Sequence, residues 1–466
     1  MISYFDEVDH RRLLSEYPIG QAFLDGPVRL SRDELHALQE RRFLAVIARG
    51  WQVPFYRRRW QAAGLEPGDI CALEDVHKLP AFSKSDLMAS VADHPPWGDF
   101  HGLDFAAADR PGAVLHTTSG TTGAPQPIWF GAFDREVQNA LLARAYRLQG
   151  VSDDDVVHSV YGFGMVNGGH YIRETVLHFT KAVLISAGTG LETRSEQQVE
   201  LLRRYGASVI VGFPDYIRKL AAVARAAGLD PARDLAVRKI IGHIGQENRA
   251  SLSHAWGGVE IFDWYGVADT GVIAAEGPRH DGLYVFEDAH LLEIIDPDSA
   301  AALCEGEPGN ICTTVLFKTG VYPVIRFDTK DLSRLMPPDP GSGINFRRIA
   351  GFLGRSDNMV KLRGINVYPS AVGAVLGDIA GLTGEYVCRV TRAHSRDEMT
   401  VLAETTDAAP DAELADRVAN ELRRHLGVEL LIKLVAPGAT APLTEIERRQ
   451  KPIRLIDDRQ DVPAKD

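Results

Sequence analysis

Long apolar runs are missing from this 466-residue chain: no stretch of about 18 apolar residues occurs, so a membrane-crossing helix is not expected. The N-terminal Met-Ile-Ser-Tyr-Phe-Asp-Glu-Val-Asp-His-Arg-Arg is acidic and has no apolar segment of the kind a secretory leader carries. The expectation is a soluble, cytoplasmic protein. Positive charge is also short, with 51 Lys and Arg against 63 Asp and Glu and a net charge of −12. No basic cluster offsets this, which speaks against a nucleic-acid surface. Cysteine is sparse: Cys71, Cys304, Cys312 and Cys388 lie far apart without a CxxC pair. A dense disulfide framework is thereby excluded, and a reducing compartment fits. Internal repeats and low-complexity tracts are not evident.

What is present is an ordinary globular composition, 45% hydrophobic and 24% charged, in a chain longer than one core usually supports. Leu35, Leu38, Phe43 and Ile47 recur at helical spacing between Ser31 and Ala62, predicting an N-terminal helical layer interrupted at Gln52-Val53-Pro54. From Val114 to Asp263 short apolar runs, such as Val156–Val160, Ala182–Ile185 and Ser208–Val211, alternate with amphipathic stretches at Gln197–Tyr205 and Tyr216–Ala227. That order implies a layered α/β core. Between Gly282 and Leu335 strands and turns dominate, predicting a β-rich subdomain. Beyond Gly354-Arg355-Ser356-Asp357 a compact unit follows, with strands at Glu385–Val390 and Glu398–Ala403 and a helix marked by Leu414, Val418, Leu422 and Leu426. The expected fold is α/β: a large N-terminal layered α/β domain (1–356) with a β-rich subdomain, joined by a hinge to a small C-terminal α+β domain (357–466).

The densest chemical signal is His116-Thr117-Thr118-Ser119-Gly120-Thr121-Thr122-Gly123-Ala124-Pro125-Gln126-Pro127, directly after the apolar Ala113-Val114-Leu115. Glycine permits close backbone approach, while N–H groups and hydroxyls donate to phosphate oxygens. No lysine follows the second glycine, so this is not the GxxxxGK[ST] loop of nucleotide hydrolases. A Ser/Thr-rich surface turn is the plain alternative.

The loop resembles the phosphate-binding motif of the adenylate-forming superfamily of acyl-CoA synthetases, luciferases and adenylation domains. Tyr265-Gly266-Val267-Ala268-Asp269 is similar to that superfamily's Tyr-Gly-x-x-Glu segment, Arg326-Phe327-Asp328-Thr329-Lys330-Asp331 to its Tyr-x-Thr-Gly-Asp segment, and Gly354-Arg355-Ser356-Asp357 to its hinge. Within the superfamily the chain most resembles phenylacetate-CoA ligase-like enzymes, through Pro54-Phe55-Tyr56, Leu73–Pro80, Tyr161-Gly162-Phe163-Gly164, Val211-Gly212-Phe213-Pro214 and Arg363–Pro369.

The resemblance implies ATP-dependent adenylation of an aromatic or similar small carboxylic acid through an acyl-AMP, with CoA as the favoured acceptor. An amine, a carrier-protein thiol or another small nucleophile is the alternative acceptor, and a non-catalytic nucleotide-binding protein the remote one. It assigns Thr118, Ser119, Gly120, Thr121, Thr122 and Gly123 to the phosphate clamp, Tyr265 to adenine stacking, Asp331 to the ribose hydroxyls and Arg355 to the ribose or phosphates. A carboxylate offers the two acceptors a ribose diol needs, and a guanidinium the matching donor fork. Asp269 stands where the family has a magnesium-binding glutamate, and Lys451, in Glu447–Asp457, where its catalytic lysine bridges carboxylate and α-phosphate. Asp357 is the hinge residue, and Gly364 matches a glycine lining the thiol tunnel.

Lys330 and Gln450 each replace a family glycine, and Asp269 a glutamate. Tyr161, Phe163, Gly164, Gly242, His243 and Gly245 are the candidates for the acid pocket, because glycines beside aromatic rings leave a flat slot. His243 is equally readable as a structural histidine. Some phenylacetate-CoA ligase-like proteins bind zinc in this region; Glu276 and His280 remain here, but Gly277 and Tyr284 stand where ligands would be wanted, so zinc is not expected. A homodimer is the assembly the resemblance allows.

Overall fold

The structure is a computed structural model that describes residues 4–118, 125–358, 360–363, 365–393, 396–407, 412–446 and 452–459. The candidate residues Ser119, Gly120, Thr121, Thr122, Gly123, Gly364, Gln450 and Lys451 lie outside them. The chain divides into two compact units, one of Met1–Asp155, Gly162–Ser186 and Phe262–Phe352, the other of Val156–Tyr161, Ala187–Ile261 and Leu353–Asp466. The expected mixed α/β class is found.

In the first unit the N-terminal helical layer forms where expected. Arg32–Gly50 opens on a reciprocal cap: Ser31 Oγ accepts from the Glu34 N–H, and the Glu34 carboxylate accepts from the Ser31 N–H at 2.8 Å. Gln52-Val53 breaks the helix, and Pro54, whose missing N–H costs nothing at a helix start, opens Pro54–Ala62. The helix Ala132–Leu148 is buried on nearly every face.

The expected β-rich region is an antiparallel run in the spatial order Glu260–Val267, Gly271–Glu276, Leu283–Val285, Arg348–Ile349, Phe327–Met336, Pro308–Val315 and His290–Ile295. Its apolar faces meet in a core containing Ile273, Leu283, Leu292, Ile311 and Ile349. The strand Ala113–Thr117 pairs antiparallel with Pro127–Gly131, the two strands that flank the glycine and hydroxyl segment in sequence.

In the second unit three short parallel strands, Val156–Ser159, Val209–Val211 and Lys239–Gly242, lie side by side. The helices Ser195–Arg204 and Pro214–Ala226 make the crossovers parallel pairing requires. The residues beyond 381 build a four-stranded sheet from Leu431–Val435, Arg396–Thr405, Leu382–Ala393 and Leu455–Asp457. Leu414, Val418 and Leu422 recur every fourth residue along Ala412–Leu426, and that stripe joins Val372, Leu376, Cys388 and Val401 in one core.

Candidate active site

The strand Phe327–Met336 carries the most organised group. It carries Asp331, runs on past it to Met336 and has a bulge at its middle. Asn310 pairs with Leu332 and Cys312 with Asp328, so Ile311 alone faces Thr329, Lys330 and Asp331. The surplus residues explain Lys330, which adopts φ +62°. That left-handed conformation suits the glycine found here in the resembling family and costs an L-residue about 1–2 kcal/mol. Two contacts to Asp328 offset it: the Lys330 N–H donates to Oδ1 at 2.9 Å, and Nζ lies 2.7 Å from Oδ2.

The bulge presents Asp331, 6% exposed, to Tyr265. The Tyr265 phenol lies 2.9 Å from Asp331 Oδ2 and 3.2 Å from Thr329 Oγ1. Thr329 donates its own proton to the Ile311 carbonyl at 2.9 Å and accepts from the Asp331 N–H at 3.1 Å. A carboxylate is a pure acceptor, so the phenol's proton belongs to Asp331. Two candidates drawn from segments 66 residues apart are thus joined directly.

Asp269, 3% exposed, lies at the turn between the strands Glu260–Val267 and Gly271–Glu276. Its Oδ1 accepts from Gln126 Nε2 at 2.6 Å and from the Tyr322 hydroxyl at 2.8 Å, and its backbone carbonyl accepts from Lys318 Nζ at 2.7 Å. Burial raises the Asp269 carboxyl's pKa, against the pull of Tyr322, Lys318 and Gln126. Lys318 is fully buried, its ammonium 4.5 Å from the Tyr322 ring centroid and 4.9 Å from that of Phe130. Desolvation lowers its pKa, against the fields of Asp134 and Asp269, and raises that of buried Asp134. Gln126, Tyr322, Lys318 and Asp134 were not singled out from the sequence. Buried polar partners of Asp269 drawn from positions 49, 53 and 143 residues away leave no local pattern.

The test for magnesium is the donor set. That ion takes near-octahedral oxygen coordination, commonly with one or two protein carboxylates and the rest from phosphates and water. Asp269 supplies one carboxylate with Oδ1 already engaged twice, and no trio of metal-ligating side chains among the described residues includes it. It fits as a single ligand to an ion carried by the nucleotide. Of the residues weighed for zinc, Glu276 accepts from the Asp263 N–H and pairs with His280, which stacks on Phe262.

Beside the hairpin, Thr118 N–H donates to the Gln126 carbonyl at 3.1 Å, and Gln126 N–H to Thr118 Oγ1 at 3.2 Å. His170 Nε2 reaches the carbonyls of Phe163 at 2.8 Å and Gly164 at 3.1 Å. Both partners are acceptors, which assigns the proton to that nitrogen. The His116 ring lies 5.1 Å from His170, and burial, with the charges of Arg135 and His170, pushes its pKa down to about 4.

In the second unit Tyr161 and His243 come together: the hydroxyl is 3.0 Å from Nδ1. The His243 ring stacks on Phe213 at 5.3 Å and 20°, and Tyr161 meets Phe213 edge-on at 5.0 Å. Gly242 is required by its neighbour, since an added Cβ would sit 1.9 Å from the Gly212 carbonyl oxygen. Gly245 has φ +54°. Arg355 and Asp357 form a two-pronged pair, Nε to Oδ1 at 2.8 Å and Nη2 to Oδ2 at 2.7 Å, both partly exposed. Close by in sequence to Lys451, Arg454 is ion-paired with Asp215 and, at 2.9 Å, with Glu385.

A parallel-stranded α/β core, an antiparallel subdomain, a terminal α+β unit and a buried Tyr–Asp pair on a bulge define the class, and similarity to known proteins agrees. The chain belongs to the AMP-binding enzyme family, matching it over residues 74–315 and matching the AMP-binding enzyme C-terminal domain over 364–459. It is an AMP-forming carboxylate ligase. Among its relatives is the phenylacetate-coenzyme A ligase of Aromatoleum evansii, 31% identical over 430 residues, covering 89% of this chain and 93% of that one. That of Escherichia coli K12 is 31% identical over 428 residues, covering 88% and 92%. A crystal structure of 2-hydroxyisobutyryl-CoA ligase in complex with 2-HIB-AMP, in the postadenylation state, is similar at TM-score 0.83 and 26% identity, covering 93% of this chain and 92% of that one. No helix among the described residues is long and apolar enough to cross a membrane.

Proposed function

We propose that this ligase activates an aromatic carboxylic acid with ATP and passes the acyl group to CoA. The observation that carries the nucleotide half is the Asp331 carboxylate fixed on its bulge by the Tyr265 phenol. An oriented, buried acceptor beside an aromatic ring suits a ribose diol with its base stacked alongside. The aromatic acid is supported by the Tyr161, Phe213 and His243 rings beside the side-chain-free Gly212 and Gly242, and by the phenylacetate-coenzyme A ligases among the relatives.

In the reaction the acid's carboxylate attacks the α-phosphorus and pyrophosphate leaves. The CoA thiol then attacks the acyl-adenylate carbonyl and AMP leaves. Charge grows on the phosphoryl oxygens in the first step, and positioned donors stabilise it. Thr118 to Gly123 hold the β- and γ-phosphates, Asp331 and Tyr265 hold the nucleoside, and Lys451 bridges carboxylate and α-phosphate. Arg355, released from Asp357, turns to the ribose. A magnesium ion bound with ATP would neutralise phosphate charge, with Asp269 as its protein ligand. Residues 1–356 form the ATP- and acid-binding domain and 357–466 the mobile domain that carries Lys451 and turns about Asp357. Gly364 lines the thiol's path.

The test is pyrophosphate release from a panel of acids, with and without CoA, and mass spectrometry of the products. An aryl-CoA thioester and AMP are expected. Pyrophosphate release with aliphatic acids alone, or no thioester with any aryl acid, overturns the assignment.

A further inference from the structure

A charged contact in the second unit ties the start of one core helix to the C-terminal sheet. Asp215 lies in the first turn of the helix Pro214–Ala226, two residues after the Phe213 ring that stacks on His243. Its carboxylate is ion-paired with Arg454, 239 residues further along the chain. The guanidinium divides its fork: Nη2 goes to Asp215, while Nη1 donates to Glu385 Oε2 at 2.9 Å and to the Tyr386 carbonyl at 2.7 Å. The Tyr386 ring centroid lies 4.6 Å from it. Asn248 joins the same two parts of the chain. Its Oδ1 caps the helix Arg249–Ala255 by accepting from the Ser251 N–H at 2.8 Å, and its Nδ2 donates to Asp378.

The contact is built to make and break. Glu385 and Tyr386 sit on the strand Leu382–Ala393, and the Cys388 N–H of that strand donates to the Arg454 carbonyl at 2.9 Å, so the arginine moves with them. Parted from Asp215, it keeps a carboxylate, a carbonyl and a ring, and the uncompensated cation that makes breaking a buried pair costly does not arise. Asp215, with its side chain 25% exposed, retains water and the positive end of its helix.

We propose that Asp215 and Arg454 are positioning residues, a charge latch that seats the C-terminal domain for acid activation and parts for thioester formation. The inference rests on the reading of residues 357–466 as a domain that turns between two half-reactions. The seated arrangement belongs to the first of them, because the latch closes against the helix that opens directly after the acid slot's Phe213.

The test measures the half-reactions separately: phenylacetate-dependent pyrophosphate exchange for the first, and thioester formation from supplied phenylacetyl-adenylate and CoA for the second. Asp215→Asn is expected to slow exchange about tenfold, the scale of a lost hydrogen bond between charged groups, with thioester formation within about twofold of wild type. Asp215→Asn combined with Arg454→Gln is expected to be no slower in exchange than Arg454→Gln alone, since a single interaction is lost only once. Should Arg454→Gln fail to fold, Asp215→Lys, which sets two cations against each other, is expected to slow exchange more than Asp215→Asn does. Equal losses in both half-reactions, no change in either, additive effects of the two substitutions, or wild-type exchange in Asp215→Lys would overturn the proposal. Failure of the underlying reading is distinguishable: wild-type protein would then show no pyrophosphate exchange with any aryl acid, whatever residue 215 is.

Discussion

Removing one oxygen atom tests the nucleotide site most sharply. Tyr265→Phe keeps the ring and deletes the hydroxyl that lies 2.9 Å from Asp331 Oδ2. Asp331 is 6% exposed and Tyr265 4%, so bulk water replaces that donor poorly. A hydrogen bond to a charged group contributes about 1.5–3 kcal/mol, and the lower end applies because Thr329 still bonds the Asp331 backbone. About 1.5 kcal/mol corresponds to roughly tenfold in an equilibrium constant. Acid-dependent pyrophosphate exchange at varied ATP is therefore expected to show a KM for ATP about tenfold higher, with the acid constant unchanged. Because the ring remains, stacking is retained, and the loss is to be smaller than in Asp331→Ala, which removes the acceptor itself. Thermal unfolding separates the two roles of the bond. A variant that melts earlier yet keeps the wild-type ATP dependence would show that the pair serves packing alone, and would remove it from the nucleotide site.

Lys451→Ala is expected to depress adenylation far more than thioester formation from a supplied acyl-adenylate; equal losses in separate half-reaction assays would exclude the bridging role. Gly242→Ala forces a Cβ to 1.9 Å from the Gly212 oxygen and is expected to cost about 1–3 kcal/mol and to weaken acid binding. Denaturant melts together with acid KM values check it. His158 is fully buried beside Gln198, and burial pushes its pKa down to about 4. The unfolded chain takes up a proton below about pH 6.5 that the folded chain refuses until about pH 4, so stability falls as pH falls across that window. The loss is about 3 kcal/mol for this one group. Urea melts from about pH 7 to about pH 4 are expected to show the slope, and His158→Gln to flatten it; an unchanged slope refutes the assignment.

Much of this architecture was legible in the sequence because it is written in local periodicity. The break at Gln52-Val53, the capped helix from Arg32 and the fourfold stripe of Leu414, Val418 and Leu422 are near-neighbour patterns, and the structure reproduces them. The glycine replaced by Lys330 stood out as a departure, but its meaning waited on the backbone: only the bulge opposite Ile311 shows that the position is left-handed and that Asp328 steadies the lysine. Likewise Asp269 was named from its place in a motif, while Gln126, Tyr322 and Lys318 came to light only through folding. No spacing rule connects residue 126 with 269, and a glutamine after a proline reads as an ordinary loop residue.

The contact between Gly212 and Gly242 bears on how this ligase can change its choice of acid. Where two main chains touch with no room for a single carbon, the surface there is made of peptide groups that substitution cannot reshape without moving the strands themselves. In the acid pocket proposed above, selectivity then drifts through the rings at 161, 213 and 243 rather than through the glycines, because those side chains can be exchanged one at a time. Divergence toward a new acid would be written at those three positions while the glycines stayed the same, and a library built for altered specificity has its productive variation already marked out.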